Sequence, residues 1–364
     1  AGRFHLVDPI ADGGMGSVWR AWDAKKGCYV AAKLLRPSDA ASLLRFVREQ
    51  ALRVSHPNVV APNGWAAEDE MVLLTMDLVG GGSVHQLIGD YGAVSVPYTA
   101  VVIDQLWSAL TEVHAHGIVH RDIKPANVLL EVTGREAPVS RLADFGIAAV
   151  SGQPRLTEAT ELVGTPGYLA PEAYADPHSR PAHDVYSAGV LAWQLLTGRI
   201  PPNEGPWVTA DEVPEDVPAP VWQAVAAFTD ANPARRPPSA FEAWRLWREA
   251  LSSAAVPGID PAAPDAIEVF DQLGPLPDGF GPNGPVPAPA PGPIAAPQPA
   301  VHRGLPAPGP APHAHGADAP TQAVPAPTVP QRRDTRRRVV LGVAASLAAL
   351  GAVVLAVSLI LLLT

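Results

Sequence analysis

Proline is spread so unevenly along this chain that any globular fold must lie mainly in its N-terminal part. Half of the 42 prolines fall between Pro257 and Pro330. The stretch from about Val256 to Gln331 is mostly Ala, Pro and Gly with few aromatic residues, too little apolar surface to offset the entropy lost on ordering. Pro-Ala alternation favours extended polyproline-type segments, so residues 251–338 are expected to form a disordered, semi-stiff linker with a basic end. A passive spacer is the plainer reading of its proline segments, and partner docking the alternative.

Val339 to Leu363 are 25 residues without a charge, mainly Val, Leu and Ala. A bilayer core needs about 20. A buried core helix of this length normally shows a polar face, and here only Ser346 and Ser358 are polar. The segment is therefore expected to be a single transmembrane helix. Arg332, Arg333, Arg336, Arg337 and Arg338 precede it and only Thr364 follows. By the positive-inside rule the preceding chain is expected on the cytoplasmic side of a cell membrane, with the C-terminus at the outer face. The arginines serve as a topology anchor, or in addition bind anionic headgroups of the lipid bilayer. Ala1 to Ile10 has no charged lead followed by an apolar run, so no signal peptide is expected.

The net charge is −10, and no long basic stripe precedes the arginine cluster, which argues against a nucleic-acid partner. Cys28 is the only cysteine, so an intramolecular disulfide and a cysteine-rich metal site are both excluded.

The remaining 250 residues read as an α+β, bilobal arrangement. Strand-like runs at Ser17–Trp22, Tyr29–Leu35 and Met71–Leu78 predict a β-rich lobe over about residues 1–79. Helical periodicity at Ala100–His114, Val185–Leu196 and Val221–Phe228 predicts a helical lobe over about 80–250. Trp193, Trp222, Trp244 and Trp247 are read as packing residues.

Ile10, Ala11, Asp12, Gly13, Gly14, Met15, Gly16, Ser17 and Val18 lie between two strand-like runs. Glycines there would let backbone amides approach phosphate oxygens, although a Gly-rich hairpin turn without a ligand is the commoner case. Lys33 follows on the next strand, where a solvated edge lysine is the plainer reading. Stronger is the ordered set His120-Arg121-Asp122-Ile123-Lys124-Pro125-Ala126-Asn127, then Asp144-Phe145-Gly146, then Ala170-Pro171-Glu172. Each triplet alone is an ordinary turn or helix start, but their joint order is not. From about Phe4 to Ala250 the chain resembles the eukaryotic-like (Hanks-type) serine/threonine protein kinases of bacteria.

That resemblance implies ATP and Mg²⁺, with Mn²⁺ as an alternative, and protein substrates bearing Ser or Thr acceptors. By it, Asp122 takes or orients the proton of the acceptor hydroxyl and Lys124 offsets charge on the γ-phosphate. Asn127 and Asp144 hold the metal. Lys33 contacts the α- and β-phosphates, paired with Glu49 of the following helix, and a surface-helix residue is the plainer reading of that glutamate. Met76 limits access behind the adenine, and Asp77 to Val79 offer backbone hydrogen bonds to it. Thr165 stands beside the substrate, and Glu172 pairs with Arg236 as Asp184 holds the catalytic loop. Arg121 calls for an anion, which makes Thr157 and Thr160 expected autophosphorylation sites, with ordinary loop threonines as the alternative. The first glycine of the usual pattern is Ala11 here, a departure that weakens nucleotide binding without abolishing it.

An active kinase acting in membrane-tethered signalling is the leading expectation, with phosphorylation between kinase domains as a homodimer in the membrane plane. A membrane-bound pseudokinase scaffold is the main alternative, and Lys33, Asp122, Asn127 and Asp144 together argue against it. A small-molecule phosphotransferase would not be expected to carry Gly164-Thr165 with Ala170-Pro171-Glu172.

Overall fold

The computed structural model describes residues 2–13, 16–35, 54–68, 71–144, 149–150, 165–174, 180–206, 208–209 and 213–286. Gly14, Met15, Glu49, Thr157, Thr160, the arginine cluster and the apolar run at 339–363 lie outside these residues. Among the described residues no helix is long and apolar enough to cross a membrane.

The N-terminal lobe is an antiparallel sheet of five strands: β1 (Phe4–Gly13), β2 (Gly16–Asp23), β3 (Cys28–Leu35), β4 (Pro62–Glu68) and β5 (Met71–Met76). Their spatial order is β1-β2-β3-β5-β4. Asp23 sets the β2–β3 turn. Its carboxylate accepts from the Lys25 and Lys26 N–H groups and is forked to Arg3 at 2.9 and 2.7 Å. Gly27 closes that turn at φ +67°, a conformation glycine adopts without strain. In register, Val18 lies opposite Lys33 and Lys33 opposite Leu74, so Lys33 is in the middle of the sheet and only 7% exposed.

The helical lobe begins at α1 (Val84–Tyr91), fixed by a capping box between Ser83 and Gln86. Four longer helices follow: α2 (Val96–Ala115), α3 (Pro181–Thr197), α4 (Ala219–Phe228) and α5 (Ala240–Ser253). Their apolar faces meet around Trp107, Phe228 and Trp247, each fully buried. The Trp107 and Phe228 rings stand edge to face with centroids 4.9 Å apart, a favoured aromatic geometry. Gly189 of α3 allows α4 to approach closely, since a Cβ there would lie 2.6 Å from the Phe228 Cβ. Trp193 and Trp222 are buried, and Trp244, half-buried, packs against the same core and donates to Asp104 at 2.7 Å. Short strands β6 (Ile118–Val119), β7 (Val128–Leu130), β8 (Ser140–Leu142) and β9 (Ala149–Val150) frame the loops between α2 and α3.

The expected disordered linker starting at residue 251 is corrected by the structure. The last turn of α5 extends to Ser253, and residues 254–286 pack on the preceding lobes. Val256, Ile259 and Ile267 lie against the helical core, and Val269 is 3% exposed within it. This segment ends in a small hairpin of β10 (Phe280–Gly281) and β11 (Gly284–Pro285). Single apolar residues docking on a preformed surface hold it, so it needs no core of its own.

Candidate active site

The glycine-rich run forms the β1–β2 hairpin, with Ala11 opposite Val18, Asp12 opposite Ser17 and Gly13 opposite Gly16. Ile10 belongs to β1, so the whole described part of that run is strand rather than free loop. Lys33 reaches across the cleft and its Nζ donates to Asp144 Oδ1, joining the two lobes through side chains. Met76 ends β5 partly buried against the core. Asp77, the next residue, accepts from Asn63 Nδ2 at 2.9 Å and from Arg141 Nη2 at 2.7 Å. Residues 77–79, the hinge between the sheet and the helical lobe, are thus tied through Asp77 to β4 on one side and to β8 on the other.

Asp122 is 6% exposed and lies at the centre of the catalytic loop. Its Oδ2 is 2.8 Å from Lys124 Nζ and accepts from Asn127 Nδ2 at 2.9 Å, while Thr165 Oγ1 donates to Oδ1 at 3.4 Å. Asn127 Nδ2 also donates to the Asp122 carbonyl at 2.7 Å, which leaves the amide oxygen as the end suited to a cation. Mg²⁺ prefers such hard oxygen donors, and the Asp144 carboxylate is 35% exposed towards the cleft. Among the described residues no group of three or more His, Cys, Asp or Glu side chains is gathered for a metal. Asn127 and Asp144 therefore fit a cation that takes its remaining ligands from phosphate and water.

Asp184 at the start of α3 holds this loop in shape. Its carboxylate, fully buried, accepts from the His120 N–H at 2.8 Å and the Arg121 N–H at 2.9 Å, and lies 2.8 Å from His114 Nε2. Burial alone would push its carboxyl up. The His114 ring and the loop outweigh that and hold it below the usual carboxylate range. Arg121 and Asp144 have φ of +69° and +67°, a region that non-glycine residues enter at a cost and keep only where their surroundings impose it. Farther back, Glu172 and Arg236 form a forked pair at 2.7 and 2.8 Å, with the guanidinium stacked 4.8 Å from the Tyr186 ring centre.

Several supporting residues had no assigned role in the sequence reading. His114 is one. The turn His56-Pro57-Asn58 is another: Asn58 Nδ2 donates to the Ser140 carbonyl at 2.9 Å and the Asn58 carbonyl accepts from the Leu142 N–H. That turn therefore fixes β8, which leads directly into Asp144. His56 Nδ1 accepts from the Asn58 N–H, so its Nε2 is the protonated nitrogen and faces Ser108 Oγ at 3.1 Å. Burial lowers its pKa, in keeping with a neutral ring.

Residues 4–217 match the family model described as protein kinase domain. The chain belongs to the protein kinase family, and its sheet, hinge and helical lobe are the bilobal α+β fold of that family. It is 38% identical over 262 residues to serine/threonine-protein kinase PkaA of Streptomyces coelicolor, covering 65% of this chain and 48% of that one. It is 32% identical over 255 residues to serine/threonine-protein kinase PknA of Mycobacterium tuberculosis, covering 65% of this chain and 58% of that one. The match to probable serine/threonine-protein kinase PknB of Lactococcus lactis is 32% over 207 residues, covering 55% and 32%. The chain thus spans about half the length of the curated relatives it matches.

Replacing Asp184 with Asn keeps the shape but presents an amide N–H₂ to groups that already donate. Asp184→Asn should lower the unfolding free energy by about 3 kcal/mol at neutral pH in a denaturant titration. The sign with pH follows from the depressed native pKa. The carboxylate stabilises fully above its unfolded value of about 3.9 and loses that effect as pH falls through the native value, so the variant should lack that acid-side decline.

Proposed function

We propose that this chain is a serine/threonine protein kinase, which transfers the γ-phosphoryl group of ATP to a serine or threonine hydroxyl of a protein. The observation that carries the reading is the convergence of Lys124, Asn127 and Thr165 on the Asp122 carboxylate, in a loop beside the Lys33–Asp144 contact. Phosphoryl transfer asks a protein mainly for positioning and charge stabilisation, which such a site supplies. Asp122 takes the acceptor's proton as the hydroxyl oxygen bonds to the γ-phosphorus, the bond to the β–γ bridging oxygen breaks, and ADP leaves. Lys124 lies beside Asp122, where its ammonium offsets charge on the moving phosphoryl group. Lys33 holds the phosphates from the sheet side. Asn127 and Asp144 would hold Mg²⁺, or Mn²⁺, which when bound neutralises phosphate charge. Thr165 and Lys124 beside Asp122 support Ser or Thr as the acceptor, as do the names of the relatives.

The finer parts of the proposal rest on sequence. Thr157 and Thr160 lie between Asp144 and Glu172, where a phosphate can order a loop, and are assigned as autophosphorylation sites. The apolar run at 339–363 with its preceding arginines is assigned as a membrane anchor that keeps the kinase domain cytoplasmic and concentrates it for phosphorylation in trans.

Incubated with labelled ATP and Mg²⁺, the chain should incorporate phosphate on threonine or serine. Asp122→Asn should reduce this by roughly a hundredfold or more. Bound nucleotide without transfer by either protein, even to a generic basic acceptor, would favour the scaffold reading. Deleting residues 339–363 should move the chain from the membrane pellet to the supernatant of lysed cells, and an intact chain already in the supernatant would contradict the anchor.

A further inference from the structure

Residues 254–286 lie beyond the span matched to the family and cross from the helical lobe to the sheet. The crossing has three anchors. On the helical lobe, Val269 and Gly134 exchange backbone hydrogen bonds at 2.7 and 2.9 Å. Just past the hinge, the Gln272 N–H donates to the Gly80 carbonyl at 2.8 Å. The run Gly80-Gly81-Gly82 is shaped for this: a Cβ on Gly81 would lie 2.7 Å from Val269 Cγ1, and one on Gly82 within 2.5 Å of the Gln272 side chain.

On the sheet, Arg20 Nη1 and Nη2 donate to the carbonyls of Gly274 and Pro275 at 3.0 and 3.2 Å while the same guanidinium is forked to Asp8. Tyr29 Oη donates to the Gly281 carbonyl at 2.6 Å. Gly284, at φ +101°, packs so tightly on the buried Trp22 ring that a Cβ would approach it to 2.4 Å.

The placement of these anchors links them to the nucleotide site. Side chains alternate along a strand, so Arg20 and Trp22 share the face of β2 that carries Val18, and Tyr29 shares the face of β3 that carries Lys33. The segment is therefore seated on the same sheet surface that covers the nucleotide, and attached to the other lobe at its far end. The sheet cannot tilt away from the hinge without breaking one of the three anchors. We propose that residues 269–286 are an interlobe brace that positions the β1–β3 surface for ATP, with Gln272 and Gly284 as its positioning residues. Docked, it accompanies the arrangement in which Lys33 reaches Asp144.

This rests on the kinase reading, so nucleotide binding is measured separately from transfer. In the full chain, Gly284→Val forces a branched side chain against Trp22, and Gln272→Pro removes the N–H that binds Gly80 without touching the sheet or the catalytic loop. Each should raise both the dissociation constant of a fluorescent ATP analogue and the KM for ATP roughly fivefold to tenfold, the scale of one or two net hydrogen bonds. A merely structural role would instead lower the melting temperature and kcat while leaving KM unchanged. Unchanged affinity and KM in variants whose 274–284 segment has become protease-sensitive would overturn the proposal while leaving the kinase reading intact. Should Gly284→Val fail to fold, Gln272→Pro decides by the same criteria. Should the unaltered chain bind the analogue and transfer nothing, the kinase reading falls and the affinities alone judge the brace.

Discussion

A buried carboxylate tolerates few arrangements of its neighbours, and Asp184 imposes that intolerance on the catalytic loop. An ionised group taken out of water costs several kcal/mol unless it is fully compensated. Here the compensation comes from the N–H groups of His120 and Arg121 and from the His114 ring. The loop cannot drift without stranding that charge. Arg121 is consequently held at a positive φ, and Asp122, the next residue, is delivered to Lys124, Asn127 and Thr165. The geometry at Asp122 thus follows from a carboxylate that bonds the backbone of the two residues before it.

The other lobe is attached to this fixed frame by contacts of a different kind. Asn58 secures β8, Arg141 of β8 pairs with Asp77 of the hinge, and Lys33 meets Asp144 across the cleft. The 254–286 segment adds a covalently continuous tie from Gly134 of the helical lobe past Gly80 to Arg20 and Tyr29 of the sheet. For the proposed binding of a flexible triphosphate such restraint is a gain, because the entropy of orienting the lobes has already been lost on folding.

Much of this was legible in sequence where local pattern and local chemistry coincide. Strands β2, β3 and β5 and helices α2, α3 and α4 overlie the runs read from apolar periodicity, although Leu78 belongs to the hinge and not to β5. The first motif and the described residue of the second come together because the loop between β6 and β7 and the end of β8 face one another, the Ala143 N–H donating to the Asn127 carbonyl, whereas Glu172 of the third pairs with Arg236 farther back. Contacts between distant residues were not legible: nothing in the periodicity around Arg141 or His114 points to Asp77 or Asp184. The 254–286 segment was missed for another reason. Averaging composition from Val256 to Gln331 diluted its apolar residues, Ile259, Ile267 and Val269 among them, with the proline-rich run that follows. The available signal lay elsewhere, in the three consecutive glycines after the hinge, a stretch without side chains that invites another backbone to approach.

A crystal structure of the chain soaked with Mn²⁺ and a non-hydrolysable ATP analogue tests the central claim most directly, because manganese can be located by its anomalous signal. The account predicts a manganese peak bounded by the Asn127 amide oxygen, the Asp144 carboxylate and phosphate oxygens, with Lys33 on the phosphates and the γ-phosphate facing Asp122. Manganese or nucleotide bound elsewhere, with the cleft between Lys33 and Asp122 left to solvent, would contradict it.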